Sequence, residues 1–179
     1  MKKVKCPWIV KGSKTVYQNP WIKVTEDKII FPNNKPGIYG VVSMPDTVAV
    51  AAFENDGIYL VKQYRYTVKK NSWELPSGHI KPEETPLKAA SRELGEEAGL
   101  KAKKWISLGY SNPAIGVMST TRYLYFATGL SLTNKQREPS EIDMEVKWFH
   151  LKVVEKMIEN NSIFDDYLIT ALYKLNQAI

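Results

Sequence analysis

Five glutamates, Glu83, Glu84, Glu93, Glu96 and Glu97, fall within the stretch GHIKPEETPLKAASRELGEEAGL at 78–100, in a chain of net charge +6. Like charges repel, so carboxylates gathered this densely must be offset by lysines, helix dipoles, solvent or a metal ion. Thr85-Pro86 predicts a helix start, because Thr caps exposed amides and Pro is favoured at the first helical position. Gly99 predicts its stop. Between them Glu93, Glu96 and Glu97 lie three and four residues apart and project from one face. Leu87, Leu94 and Ala98, with Ala90 at the edge, form the stripe expected to pack on a sheet. The acids work against this helix. Glu96 and Glu97 occupy its last turn, where the dipole disfavours negative charge, and Glu93 and Glu97 repel by about 0.2–0.5 kcal/mol. A cost of that size is tolerable, so a solvated acidic face remains one reading. Clustered hard oxygens on a rigid element also suit a divalent cation such as Mg²⁺, and no lysine is interleaved among the three acids. The cation is the better explanation.

The flanking chain must position this helix. TVAVAAF (47–53) and IYLVKQY (58–64) flank Asn55-Asp56-Gly57, a strand–turn–strand signal. SWELPSGHI predicts a short extended piece leading into a Pro/Gly loop, and KWISLGYS, TTRYLYFATGLSL and EVKWFHL predict further strands. Val154, Met157 and Ile158, then Tyr167, Leu168, Ala171, Leu172 and Leu175, carry helical spacing on either side of a break at Asn160–Ser162. Residues 1–45 predict short strands and turns, with WIKVTEDKIIF giving a hairpin-like alternation around Glu26-Asp27. A mixed sheet with helices mid-chain and at the end predicts an α/β (α+β) sandwich. The division expected is a strand region over 1–45 and a main domain over 46–179.

Composition excludes several classes. One cysteine, Cys6, allows neither an internal disulfide framework nor a thiolate zinc site. The N-terminal lysines are followed by Pro7, Lys11 and Lys14 rather than an apolar run, and no stretch approaches a membrane span. A cytoplasmic protein is the expectation. The basic residues are scattered, which favours an anion-attracting cleft over a nucleic-acid surface. His79 and His150 have no Ser or Cys nucleophile signature beside them.

From Gly78 the chain reads Gly, five residues, Glu84, seven residues, then Arg92-Glu93-Leu94-Gly95-Glu96-Glu97-Ala98-Gly99-Leu100. This resembles the complete Nudix box, G-x5-E-x7-R-E-U-x-E-E-x-G-U with U aliphatic, with no departure. The resemblance implies an α/β/α sandwich that hydrolyses a nucleoside diphosphate linked to another group, with Mg²⁺ (Mn²⁺ as the alternative). It implies Glu93 and Glu97 as principal metal ligands and Glu96 as a further ligand or bridging catalytic acid. Ser77 would add its carbonyl, Gly78 would permit close approach, Arg92 would orient Glu93, and Glu84 would brace the loop. LVKQYRY, WELPSGHI, SNP at 111–113 and the segment from Ser140 onward are similar to the ADP-ribose and nucleotide-sugar pyrophosphatases. That branch implies a base-binding, dimer-forming N-terminal region and a homodimer.

Arg65 suits a phosphate oxygen or ribose hydroxyl through its donor fork, or is a surface strand arginine. Trp21 suits stacking on a base, or a core or subunit contact. The general base is implied to come from the loop REPSEIDMEV, where Glu138, Glu141, Asp143 and Glu145 are available and Glu141 sits nearest the family position. NPAIGVMSTTRY lacks the Gly and acidic residues typical of ADP-ribose enzymes, which leaves other nucleoside diphosphate sugars open. Rival readings are an RNA-end pyrophosphohydrolase, a non-catalytic nucleotide-binding module, and an isomerase that would need a catalytic cysteine.

Overall fold

The computed structural model describes residues 5–134 and 143–175. The chain divides into two compact units, one of residues 1–45 with 112–121, the other of 46–111 with 122–179.

In the first unit β1 (Ile9–Gln18), β2 (Lys23–Ile30), β3 (Pro36–Ser43) and the short β9 (Met118–Ser119) form a four-stranded sheet in that order. The segment around Glu26-Asp27 is not a hairpin, as the sequence had suggested. It is the middle of β2, with Glu26 opposite Lys14 and Gly40 and Asp27 opposite Ser13 and Tyr39. β1 is exposed along its whole length, but Glu26 and Asp27 in β2 are half-buried, and Asp27 Oδ1 is buried with no hydrogen-bond partner among the described residues. The real turns are at 19–22, where the Asn19 side chain accepts from the Trp21 and Ile22 amides, and at 31–35.

The second unit is built on a seven-stranded sheet. Its path runs β11 (Glu145–His150), β5 (Gly57–Arg65), β4 (Thr47–Glu54), β10 (Arg122–Leu132), β8 (Leu100–Ser111). Two short strands branch from it: β6 (Lys70–Glu74) pairs with β5, and β7 (Ser77–His79) pairs with β4. Only β4 and β10 run parallel within it. Asn55 and Asp56 both take positive φ, 51° and 56°, which produces the tight β4–β5 turn. β4 is buried on both faces, which explains its unbroken apolar run. Val48, Val50 and Ala52 face a cluster with Ala89, Ala90, Leu94 and Ala98, whereas Ala49 and Ala51 face Val154, Leu168, Ala171 and Leu175. The sheet is therefore sandwiched between α1 (Pro86–Glu93) on one side and α2 (Leu151–Glu159) with α3 (Asp166–Leu175) on the other. This is the mixed α/β sandwich expected. No helix among the described residues is long and apolar enough to cross a membrane.

One packing expectation fails. Leu87 is 44% exposed, and Ala89 is fully buried in its place. The buried stripe runs through residues 89, 90, 93 and 94 and so includes Glu93, a charged group that spacing arguments assign to the polar face.

Candidate active site

The helix does not end in α geometry. After Glu93 it widens into a π turn over Leu94–Ala98, closed by Gly99 at φ 70°, whose amide donates to the carbonyls of Gly95 and Leu94. A π turn closes i→i+5 hydrogen bonds and advances less per residue. Glu97 therefore stays in line with Glu93, Ala98 stays in line with Ala90, and Glu96 swings toward the outside. Burial follows this order: Glu93 is 7% and Glu97 2% exposed, whereas Glu96 is half-buried.

The loop opposite is stitched to β4. Val50 donates to the Pro76 carbonyl (2.9 Å), Ile80 donates to that of Asp46 (2.8 Å), and β7 lies between. This brings Ser77 and Gly78 onto the acids. The Ser77 amide donates to Glu97 Oε2 at 2.8 Å. The Glu93 carboxylate lies so close to the Gly78 α-carbon that a Cβ there would collide with it, so any other residue would have to push that carboxylate aside.

Arg92 organises the rest. Nε and Nη2 donate to the two oxygens of Glu84 (3.0 and 2.9 Å), and Nη2 also donates to the His79 carbonyl (2.9 Å). Nη1 donates to Glu93 Oε1 (2.6 Å) and Glu96 Oε2 (2.9 Å). All five N–H donors of the guanidinium are thus engaged, a geometry open to Arg and closed to Lys. The carboxylates raise the Arg92 pKa well above its ordinary value, with Glu84 the largest cause, and Arg92 in turn lowers that of Glu84. Glu84 also accepts from the Lys81 amide at 3.1 Å, tying the loop to the helix.

One guanidinium against four carboxylates leaves a local excess of negative charge. The donors are hard oxygens, two of the acids are nearly buried, and Ser77 contributes a backbone loop beside them. That donor chemistry fits a Mg²⁺-type cation. Among the described residues no three His, Cys, Asp or Glu side chains converge into a ready-made metal site. Arg92 Nη1 bridges Glu93 and Glu96, while the Ser77 amide occupies an oxygen of Glu97.

The matches to known proteins divide the chain near residue 43. The NUDIX domain family matches residues 44–172, and the nucleoside diphosphate sugar hydrolase N-terminal domain matches residues 8–42. The chain belongs to the Nudix hydrolase family. The Nudix chain is 30% identical over 158 residues to an ADP-ribose pyrophosphatase of Bacillus subtilis, covering 86% of this chain and 84% of that protein. It is 29% identical over 164 residues to the ADP-ribose pyrophosphatase of Mycobacterium tuberculosis, covering 90% and 79%. A crystal structure described as an ADP compounds hydrolase superposes with a TM-score of 0.87 at 19% identity, over 98% of this chain and 96% of that one, and so shares the fold.

The remaining expected residues are placed as follows. Arg65, at the end of β5, is clamped on Glu74 of β6 rather than standing alone on the strand surface. Trp21 is 63% exposed, beside a cavity of about 210 Å³ lined by residues 18–23 and 43–45 of the first unit. Glu138 and Glu141 lie outside the described residues. Asp143 is exposed, and Glu145 sits in β11 at 3.4 Å from Lys62. Two acids escaped the sequence reading. Glu74 is 4% exposed within SWELPSGHI, where a glutamate in a strand flanked by buried residues was the available signal. Asp165, directly before α3, accepts from the amides of Tyr167 (3.3 Å) and Leu168 (3.0 Å), and an Asp before a helical pattern signals a cap.

Proposed function

We propose that this Nudix hydrolase cleaves the pyrophosphate bond of ADP-ribose or another nucleoside diphosphate sugar, using Mg²⁺ and yielding a nucleoside monophosphate and a sugar phosphate. The observation that carries the reading is the pair of buried acids beside the Ser77–Gly78 loop, Glu93 held by Arg92 and Glu97 by the Ser77 amide. Glu93 and Glu97, with Glu96 and the Ser77 carbonyl, are the proposed Mg²⁺ ligands. Bound there, Mg²⁺ supplies charge neutralisation for the pyrophosphate and acidifies the hydrolytic water. Arg92 fixes the rotamer of Glu93 and carries its charge while the site is empty of cation. Arg65 donates to a phosphate oxygen, Trp21 stacks on the base, and Glu141 accepts the proton of the attacking water. Water adds across one P–O bond and the bridging oxygen leaves with the other phosphate.

The assembly proposed is a homodimer. β1 is an edge strand with Ile9, Val10, Val16 and Tyr17 each more than half exposed, an arrangement that invites pairing with another chain. Light scattering at micromolar concentration checks it, and a monomeric mass refutes it.

A hydrolysis panel of ADP-ribose, ADP-glucose, GDP-mannose, UDP-glucose and capped RNA, each with Mg²⁺, tests the activity. Turnover of at least one nucleoside diphosphate sugar, lost in Glu97→Gln, is expected. Turnover of capped RNA alone overturns the assignment.

A further inference from the structure

Arg65 is built into the second unit in a way that a surface arginine is not. Val61, Gln63 and Arg65 of β5 stand opposite Glu74, Ser72 and Lys70 of β6, so these six positions share one face of the sheet. On that face Arg65 Nε donates to both oxygens of Glu74 (2.8 and 3.0 Å), and Nη2 donates to Glu74 Oε2 as well. The pairing is asymmetric: the Glu74 side chain is 5% exposed, whereas that of Arg65 is 42% exposed. Glu74 is anchored in the protein and Arg65 is held out from it. Nη1 makes no hydrogen bond to any described residue, so its two N–H groups are on offer.

β5 packs against the π turn that carries Glu97, so Arg65 also stands on a strand beside the acids. Its pKa is raised first by the bond to Glu74, and further by the charges of Glu97 and Asp165. Arg65 therefore lies within electrostatic reach of the buried acid of the Nudix helix. A flexible arginine would give up rotamer freedom on gripping an anion, and an arginine already locked gives it up on folding.

We propose that Glu74 is a positioning residue: it clamps the Nε–Nη2 edge of Arg65 and so presents the Nη1 edge as a fixed donor to an anionic oxygen of substrate bound beside Glu93 and Glu97. The inference rests on the reading of Arg65 as a substrate contact. It assigns no chemical step to Glu74, which touches neither the reacting phosphorus nor the attacking water.

The test compares Glu74→Gln, Glu74→Asp, Arg65→Ala, Arg65→Lys and the double variant Arg65→Ala/Glu74→Gln. KM and kcat are measured with ADP-ribose, or with the best substrate of the panel. Calorimetry gives the Kd of the corresponding analogue with a methylene bridge between its phosphorus atoms, in Mg²⁺. Circular dichroism and melting report the fold. Losing one charge-assisted hydrogen bond corresponds to about tenfold in affinity. Glu74→Gln is expected to raise KM and the analogue Kd about tenfold with kcat within about threefold, and Glu74→Asp to recover part of the loss. The double variant should bind no more weakly than Arg65→Ala, because Glu74 acts only through Arg65. If Glu74→Gln lowers the melting temperature and leaves both constants unchanged, Glu74 is merely structural and the proposal is wrong. If Arg65→Ala leaves the Kd unchanged, the reading of Arg65 itself fails. Should Glu74→Gln not fold, Arg65→Lys decides. Lysine cannot be clamped along an edge, so an unchanged Kd there overturns the positioning role.

Discussion

Replacing Asp165 by asparagine should stabilise the protein at neutral pH and progressively less in acid. The Asp165 carboxyl is pushed from an ordinary 3.8 up to about 7, first by burial and then by the charge of Glu74, with Asp166 adding to it. The cap bonds from Tyr167 and Leu168 pull the other way and are outweighed. Arg65 faces the same space but is clamped on Glu74. A group whose folded pKa lies above its unfolded value contributes stability that is complete below the unfolded pKa. That contribution is lost as pH rises through the folded one. Between about pH 4 and 7 the native protein holds a proton that the unfolded chain does not, so stability falls by about 1.4 kcal/mol per pH unit from this residue. From pH 5 to 7 that amounts to about 2–3 kcal/mol, reduced to about 1–2 kcal/mol because the residue is only partly shielded from solvent. Asparagine caps a helix as well as aspartate and does not titrate. It forgoes about 0.5 kcal/mol of charge–dipole attraction when Asp165 is ionised. Urea unfolding of both proteins at pH 5, 6, 7 and 8 reads the difference directly. The advantage of Asp165→Asn should widen from pH 5 to 7 and level off by pH 8. A difference that is constant with pH, or that narrows toward pH 7, refutes the argument.

Three further outcomes follow from the site. Glu97→Gln should cut kcat by about 100-fold or more, by analogy with removal of a charge-stabilising group. It should leave the melting temperature level or higher in the absence of divalent ions, because it removes charge from an over-negative cluster; a marked fall would contradict that electrostatic picture. Gly78→Ala should lower kcat by about 10- to 100-fold with an unchanged circular dichroism spectrum, since its methyl displaces the Glu93 carboxylate from the loop. Arg92→Ala strands buried carboxylates and should cost about 3–5 kcal/mol in denaturant unfolding. Added Mg²⁺ should restore part of this, and a loss below about 1 kcal/mol would show that Arg92 does not hold the cluster together.

Much of the frame was legible because local chemistry and global fold agree. The Asn55-Asp56-Gly57 turn, the apolar run of β4 and a helix break beginning at Asn160 were each announced by residue types that admit few alternatives. Glu26-Asp27 misled because polar residues mid-strand resemble a turn, whereas both are paired on either side, with β1 and β3. Leu87 misled because a wheel drawn for an α-helix gives every leucine to the core. The stripe is instead set by where Gly78 lets the helix approach, and that line passes through Glu93. Glu74 and Asp165 were hidden for another reason. Their significance depends on Arg65 and on each other, and no spacing rule connects positions 65, 74 and 165.

The π turn explains how the box can be both costly and stable. On a regular helix, Glu97 would lie about 40° to one side of Glu93 and Glu96 about 60° to the other, so neither acid would line up with it and Ala98 would drift about 80° from Ala90. Widening the last turn by one residue keeps the pairs 93/97 and 90/98 in register, so the same shift that buries two acids also seats Ala98 in the apolar cluster behind them. The packing gained at Ala98 and Leu94 then opposes the repulsion between Glu93 and Glu97. The left-handed Gly99 then ends the helix, its amide donating to the Gly95 and Leu94 carbonyls. A substitution that forced the turn back to α geometry would therefore have to expose Ala98 or swing Glu97 away from the Ser77 amide. Carboxylate geometry and core packing are coupled through a single turn of backbone.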